Sequence, residues 1–232
     1  MAERTPPEFV DHLAVTIYTP ENLERGRLYL KSRGLAPEKL PYPWVHTGPE
    51  LIPYEPYRGF YPPQIFADSL YVPILDMRDP TGATLAGFDV RYTGPDQHRL
   101  RYHKFKRDAQ TQLFYNFHGS LRKPYVIVAE GAIDAQSFIQ LGYHAIAPLT
   151  ALADPRFALL LYALAERIFI AYDNDADGMK ATAKLLKTVA GIPVIANAFT
   201  ALTYKGKDPN EGLKQFGPDY LTALLRNQIG EP

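Results

Sequence analysis

Two acidic signatures dominate the second half of the chain, Ala-Glu-Gly-Ala-Ile-Asp at 129–134 and Asp-Asn-Asp-Ala-Asp-Gly at 173–178. Each follows an apolar, β-rich run, so several carboxylates are delivered to one edge of a sheet. Oxygen ligands without His or Cys among them favour magnesium or manganese over zinc. Such an ion, held by a few carboxylates and open to water and phosphate oxygens, is the usual apparatus of phosphoryl chemistry. A third acidic element, Lys-Asp-Pro-Asn-Glu at 207–211, follows the last expected strand. Glu130, Asp173 and Asp175 are the expected catalytic carboxylates, and Asp177 and Asp208 complete the expected metal set. Any one of these could instead cap a helix, Asp175 or Asp177 for the helix beginning near Ala176 in particular. The joint pattern is what points to a metal.

The elements that must carry these residues alternate cleanly. Strand Tyr125–Ala129 leads to a helix over 132–141, strand Tyr143–Ala147 to a helix over 154–165, and strand Arg167–Tyr172 to a helix over 176–190; strand Ile192–Ala196 ends the series. Repeated strand–helix units imply a parallel sheet covered by helices. Ligands of such sheets collect beyond the carboxyl ends of the strands. If the strands ending at Ala129 and Tyr172 are neighbours, a spacing of roughly 5 Å puts Glu130 and Asp173 within reach of one ion. Helices at about 210–216 and 218–228 close the chain.

The first half reads differently. Helical patterns cover 8–18 and 20–33, the second with Thr19 as N-cap, Pro20 at its first position and Gly34 as its stop. Prolines between 37 and 63 forbid a long helix in the segment 35–69, which is expected to meander. Leu70–Leu75, an Asp79-Pro80-Thr81-Gly82 turn and Thr84–Tyr92 form the pattern of a β-hairpin. The expected architecture is α/β: a parallel sheet flanked by helices, preceded by a smaller α+β subdomain. The expected boundaries are 1–120, 121–206 and a helical extension over 207–232.

Composition narrows the function classes. The 232 residues are 46% hydrophobic and 22% charged with zero formal net charge, so polyanion binding must come from a local cluster. Cysteine is absent, which excludes disulfides, thiolate zinc sites and cysteine nucleophiles. No leader pattern and no apolar run of bilayer length is present, so a cytoplasmic protein without a membrane partner is expected.

The local cluster lies between Arg91 and Arg107, where Arg99, Arg101, Lys104 and Lys106 interleave with Tyr92, Tyr102 and Phe105. Cationic side chains neutralise phosphates while aromatic rings stack on bases, the design of a single-strand groove. A solvated hairpin face with aromatics turned to the core is the competing reading. Lys180 and Lys207, with Lys205, are further candidates for phosphate contact. Trp44 reads as a packing anchor.

Val-Ile-Val-Ala-Glu-Gly-Ala-Ile-Asp-Ala followed by Ile-Phe-Ile-Ala-Tyr-Asp-Asn-Asp-Ala-Asp-Gly resembles the Toprim domain shared by bacterial-type primases, topoisomerases, some nucleases and recombination proteins. Among these, DnaG-like primases match best. Gly206-Lys207-Asp208-Pro209-Asn210 resembles their Gly-Lys-Asp-Pro-Asp element. Tyr29–Leu35 resembles the start of their core, and Val72–Asp76 with Ala86–Arg91 resembles their hairpin. Asn210, in place of the second aspartate, is expected to weaken one metal contact or shift it to Glu211. Ser69 and the stretch 101–104 also depart from the family pattern.

The resemblance implies a DNA primase-like nucleotidyltransferase that joins ribonucleotides, or deoxyribonucleotides, on a single-stranded DNA template, using nucleoside triphosphates and two Mg2+ or Mn2+ ions. It implies Arg91, Arg99, Arg101, Lys104, Lys106, Lys180 and Lys207 as nucleic-acid or nucleotide contacts. Full-length relatives carry a zinc-binding module and a helicase part, for which this chain has neither cysteines nor room. Two readings follow equally: a phage- or plasmid-encoded minimal enzyme, with a helicase or other replication protein supplied separately, or the catalytic core of a longer protein. A metal-dependent Toprim nuclease and a non-catalytic Toprim accessory protein are the alternatives.

Overall fold

The computed structural model describes residues 7–49, 67–95, 102–107, 112–149, 152–230 and 232. The chain divides into two compact units, Met1–Ser32 with Leu40–Leu113, and Arg33–Lys39 with Phe114–Pro232.

In the first unit, helices α1 (Pro7–Ile17) and α2 (Pro20–Ser32) accompany an antiparallel sheet ordered β1 (Val45–His46), β2 (Ser69–Leu75), β3 (Leu85–Tyr92), β4 (Tyr102–Lys106). Phe9, Val10, Leu13 and Ile17 fall on one stripe of α1, and they bury against Val45, Tyr71, Phe88, Val90 and Phe105. Thr19 caps α2 by accepting from the Asn22 amide, as its position predicted. The turn between β2 and β3 is organised by Asp79, whose carboxylate accepts from the amides of Thr81, Ala83 and Thr84. Trp44 is buried, with its carbonyl so close to Gly26 that a side chain there would collide.

The second unit is a four-stranded parallel sheet ordered β6 (Ala145–Ile146), β5 (Lys123–Ala129), β7 (Ala165–Ala171), β8 (Phe199–Ala201). Helix α3 (Ala132–Ile139) packs on β5 and β6 and against α6 (Pro209–Gln228). Helix α4 (Pro155–Leu164) packs on β7 and beside α5 (Ala176–Ala190), which reaches β8. Val126–Ala129 and Ile168–Tyr172 are buried on both faces, the pattern of a central parallel strand. At Gly217, with φ 83°, α6 bends before Pro218, which reproduces the two helices expected there.

Two features depart from the sequence reading. Ile192–Ala196, expected as the last strand, is a series of turns running into a 3-10 turn at Ala196–Ala198, and the last strand is Phe199–Ala201. Pro193 removes a ladder donor, and Val194 is 73% exposed, so this β-branched run has no sheet to join. The segment Arg33–Lys39, read as a helix end and the start of a connection, belongs to the second unit. Three side-chain amides hold it: Gln140 accepts from the Ala36 amide and donates to the Gly34 carbonyl, Gln136 donates to Lys39, and Asn210 donates to Arg33.

Candidate metal centre and nucleic-acid interface

Strands β5 and β7 are direct neighbours, and Ala129 pairs with Ala171 at the end of their ladder. Glu130 therefore leaves the sheet one residue past the pair and Asp173 two residues past it. After each, the chain turns straight into a helix, α3 after Gly131 and α5 after Asp175. Gly178 in the first turn of α5 makes that turn possible, because a Cβ there would lie 2.2 Å from the Asp173 carbonyl oxygen. The third acidic element opens α6, so helix N-termini, with their positive dipole ends, converge on this edge and suit it to anions such as phosphates.

Asp175 and Asp208 are both helix caps. Asp175 Oδ1 accepts from the Gly178 amide at 3.0 Å, and Asp208 Oδ1 accepts from the Glu211 amide at 2.6 Å. A carboxylate has two oxygens, and the cap uses one. For Asp175 the second oxygen lies 3.7 Å from the Lys207 ammonium. Capping thus fixes these side chains without exhausting them, so the cap reading and the ligand reading are compatible.

The electrostatics of the edge are those of uncompensated negative charge. Burial pushes the Asp173 carboxyl up to about 6, with the charges of Glu130, Asp208 and Asp175 adding to it. Glu130 is likewise raised, first by burial and then by Asp175 and Asp177, while Lys207 opposes the shift. Asp175 moves the other way, because the Gly178 amide and Lys207 favour its ionised form. The hydroxyl of Tyr204 donates to the Tyr172 carbonyl at 2.6 Å, and burial together with Asp134, Asp173, Asp208 and Glu130 raises its proton affinity.

Among the described residues no three His, Asp or Glu side chains stand in a finished metal-holding arrangement. The donor set nevertheless fits a hard divalent cation: it consists of carboxylate oxygens, and two of its members are held in a state that added positive charge would relieve. Glu130, Asp173, Asp175 and Asp208 would hold it, with the exposed Asp177 at the rim.

Asp134 and Asn174 are further members that their types alone did not single out. Asp134 accepts from the Asn210 amide at 3.3 Å and influences Tyr204. Asn174, between the two aspartates, donates through Nδ2 to the carbonyls of Tyr204 and Gly206 at 3.0 and 2.8 Å, and its own amide donates to Lys207 O at 2.6 Å. Asn210 has a different place from the one expected. It is 0% exposed, and Nδ2 donates to the Arg33 carbonyl and to Ser137 Oγ, so its side chain is a structural tie between segments.

In the first unit, strand alternation sorts the basic stretch into two faces. Arg91 pairs with Tyr102, Asp89 with Lys104 and Gly87 with Lys106. The Arg91 guanidinium lies 5.5 Å from the centroid of the Tyr102 ring, which is 56% exposed. Asp89 sits among these cations, yet burial outweighs Lys104 and Arg91 and raises its carboxyl to about 6. Phe105, expected as an interleaved stacking ring, is fully buried against Phe9 at 5.0 Å, because the alternation that exposes Tyr102 turns it to the core. Arg99 and Arg101 lie outside the described residues. In the second unit Lys180 is exposed on α5, and the Lys205 ammonium lies 5.8 Å from the Phe216 ring.

Comparison with known proteins agrees with this architecture. Residues 127–213 match the protein family described as Toprim-like. The chain is similar to the zinc-binding and RNA polymerase domains of the Aquifex aeolicus primase, at 22% identity and a TM-score of 0.69, covering 94% of this chain and 59% of that one. It is similar to a DnaG catalytic core at 20% identity and a TM-score of 0.71, covering 96% of this chain and 79% of that one. A DnaG primase catalytic domain bound to ssDNA matches at 19% identity and a TM-score of 0.70, covering 95% and 80%. No curated protein matches the chain.

The chain thus carries a Toprim-like domain preceded by an antiparallel-sheet unit. Together these have the fold of a DnaG-type primase catalytic core.

Proposed function

We propose that this protein is a nucleotidyltransferase of the primase type, which joins nucleotides into short primers on single-stranded DNA. The observation that carries the reading is the carboxylate edge: Glu130 and Asp173, one and two residues beyond a paired Ala129 and Ala171, with raised proton affinities beside Asp175 and Asp208. The primase-core fold is consistent with it.

On this reading Glu130, Asp173, Asp175 and Asp208 hold magnesium or manganese. The ion supplies, when bound, charge stabilisation for the attacking and departing oxygens of phosphoryl transfer. Asp175 and Asp208 are oriented by their capping bonds, so their second oxygens are positioned before any ligand arrives. The N-termini of α3, α5 and α6 add fixed positive potential for the phosphates of a nucleoside triphosphate. Arg91, Lys104 and Lys106 bind template or nucleotide phosphates in the first unit, and Tyr102 offers a stacking ring. A helicase or another replication protein is the expected partner.

The test is incorporation of labelled nucleotides on single-stranded DNA in manganese, run in parallel with cleavage of the same DNA. Incorporation without cleavage supports the proposal. Cleavage without incorporation replaces it with a Toprim nuclease, and neither activity, together with DNA binding, replaces it with an accessory protein.

A further inference from the structure

Asn174, between Asp173 and Asp175, carries a neutral amide in place of a carboxylate. Its bonding is concentrated on one place. Nδ2 of Asn174 reaches the carbonyls of both Tyr204 and Gly206, and its main-chain amide reaches the carbonyl of Lys207. These contacts fall on the loop that runs from β8 to the cap of α6, immediately before Asp208. The side chain is exposed and is not part of the core. Removing it should therefore cost little packing.

Among the described residues the loop has other anchors, the first being the Leu202 amide on the Ile170 carbonyl. Gln228 holds its start, accepting from the Thr203 amide and donating to the Thr203 carbonyl at 3.0 and 2.8 Å. Tyr220 accepts from the Lys205 amide, and Glu211 accepts from the Lys207 amide. None of these three ties the loop to the Asp173–Asp175 segment. The Tyr204 hydroxyl reaches Tyr172, at the sheet side of that segment, and the exposed Lys207 ammonium pairs loosely with Asp175. Among the described contacts, Asn174 is the side chain that bonds the backbone next to Asp208 to the middle of the second acidic element.

We infer that Asn174 is a positioning residue for the metal centre: by bonding the carbonyls of Tyr204 and Gly206 it holds Asp208 where it shares an ion with Asp173 and Asp175. This inference rests on the reading of the carboxylate edge as a metal site. It assigns a role to a side chain whose amide nitrogen holds the loop beside the carboxylates. Groups that orient metal ligands from behind typically change affinity 10- to 100-fold when removed.

The experiment is calorimetric titration of wild type, Asn174→Ala, Gln228→Ala and Asp173→Ala with manganese chloride alone, paired with thermal unfolding in chelator. Asn174→Ala should bind manganese about 10-fold more weakly while unfolding within a few degrees of wild type. Gln228→Ala, which loses bonds at the far end of the same loop, should keep the wild-type affinity within about two-fold even if it unfolds earlier. Wild-type or tighter binding by Asn174→Ala would overturn the inference, as would an equal weakening in Gln228→Ala, since that would mark a general effect of loop stability. Should Asp173→Ala bind as wild type does, the metal-site reading itself fails, an outcome distinct from loss in Asp173→Ala with retention in Asn174→Ala.

Discussion

Ala129 pairs with Ala171 at the carboxyl end of the β5–β7 ladder, and this register puts Glu130 and Asp173 on one edge of the sheet. A shift of one residue would turn every side chain of a strand to its other face and disperse the set. The acidic edge is thus a property of strand pairing as much as of composition.

The crowding of carboxylates at this edge should cost stability. Asp173→Asn removes a charge from a half-buried position beside Glu130, Asp175 and Asp208. In chelator the variant is expected to unfold a few degrees higher than wild type, corresponding to roughly 1 kcal/mol. Its manganese affinity should fall at least tenfold. Paired thermal unfolding and calorimetry check both, and a stability loss in the variant would contradict the assignment of repulsion.

The pH dependence follows from the raised carboxyl of Asp173, near 6 in the folded protein against 3.8 for the free side chain. The folded state binds the extra proton, so this group stabilises the fold fully below pH 3.8 and loses that contribution as pH rises through 6. Metal must displace the proton. Manganese affinity is expected to rise between about pH 5 and 7 and then level off, with proton release on binding that diminishes over the same interval. Titrations in buffers of different ionisation enthalpy measure both.

Lys207 opposes the rise of Glu130 and Asp173 and lies 3.7 Å from Asp175. Among the described residues it is a positive charge beside the edge. Lys207→Met should therefore tighten manganese binding by about threefold and lower stability in chelator, with both effects shrinking at high salt. If the lysine also serves a triphosphate, the KM for nucleotide rises in the same variant.

Asn210 sits where the resembling family has aspartate. Its buried amide donates to the Arg33 carbonyl, and Asn210→Asp would set a carboxylate oxygen against that carbonyl. A destabilisation of about 2–4 kcal/mol is expected by chemical denaturation. Equal stability would show that the Arg33 segment rearranges freely.

What the sequence carried and what it did not can be traced to the range of the interactions. The strand–helix alternation as far as α5, the Thr19 cap and the break at Gly217-Pro218 are local, and each is where the residues predicted it. Glu130 and Asp173 were legible because each closely follows an apolar strand, and Asp208 because it stands in the acidic element before α6, beyond the loop from β8. Asn174 and Asn210 were not, because an amide's partners are set by tertiary contacts: Asn174 bonds to residues about thirty positions on, and Asn210 to Arg33, 177 positions back. The segment Arg33–Lys39 was unreadable for the same reason, its anchors Gln136 and Gln140 being about a hundred residues away. The strand misplaced at Ile192–Ala196 shows β-branched composition overridden by Pro193 and exposure.

Primer synthesis tests the role of the Glu130 carboxylate most directly. Wild type and Glu130→Ala are incubated with single-stranded DNA, nucleoside triphosphates and manganese, and short products are resolved by length. Metal-dependent primers are expected from wild type, with a loss of at least a hundredfold, on the order of 3 kcal/mol, in Glu130→Ala. Equal product from the two proteins would contradict that role.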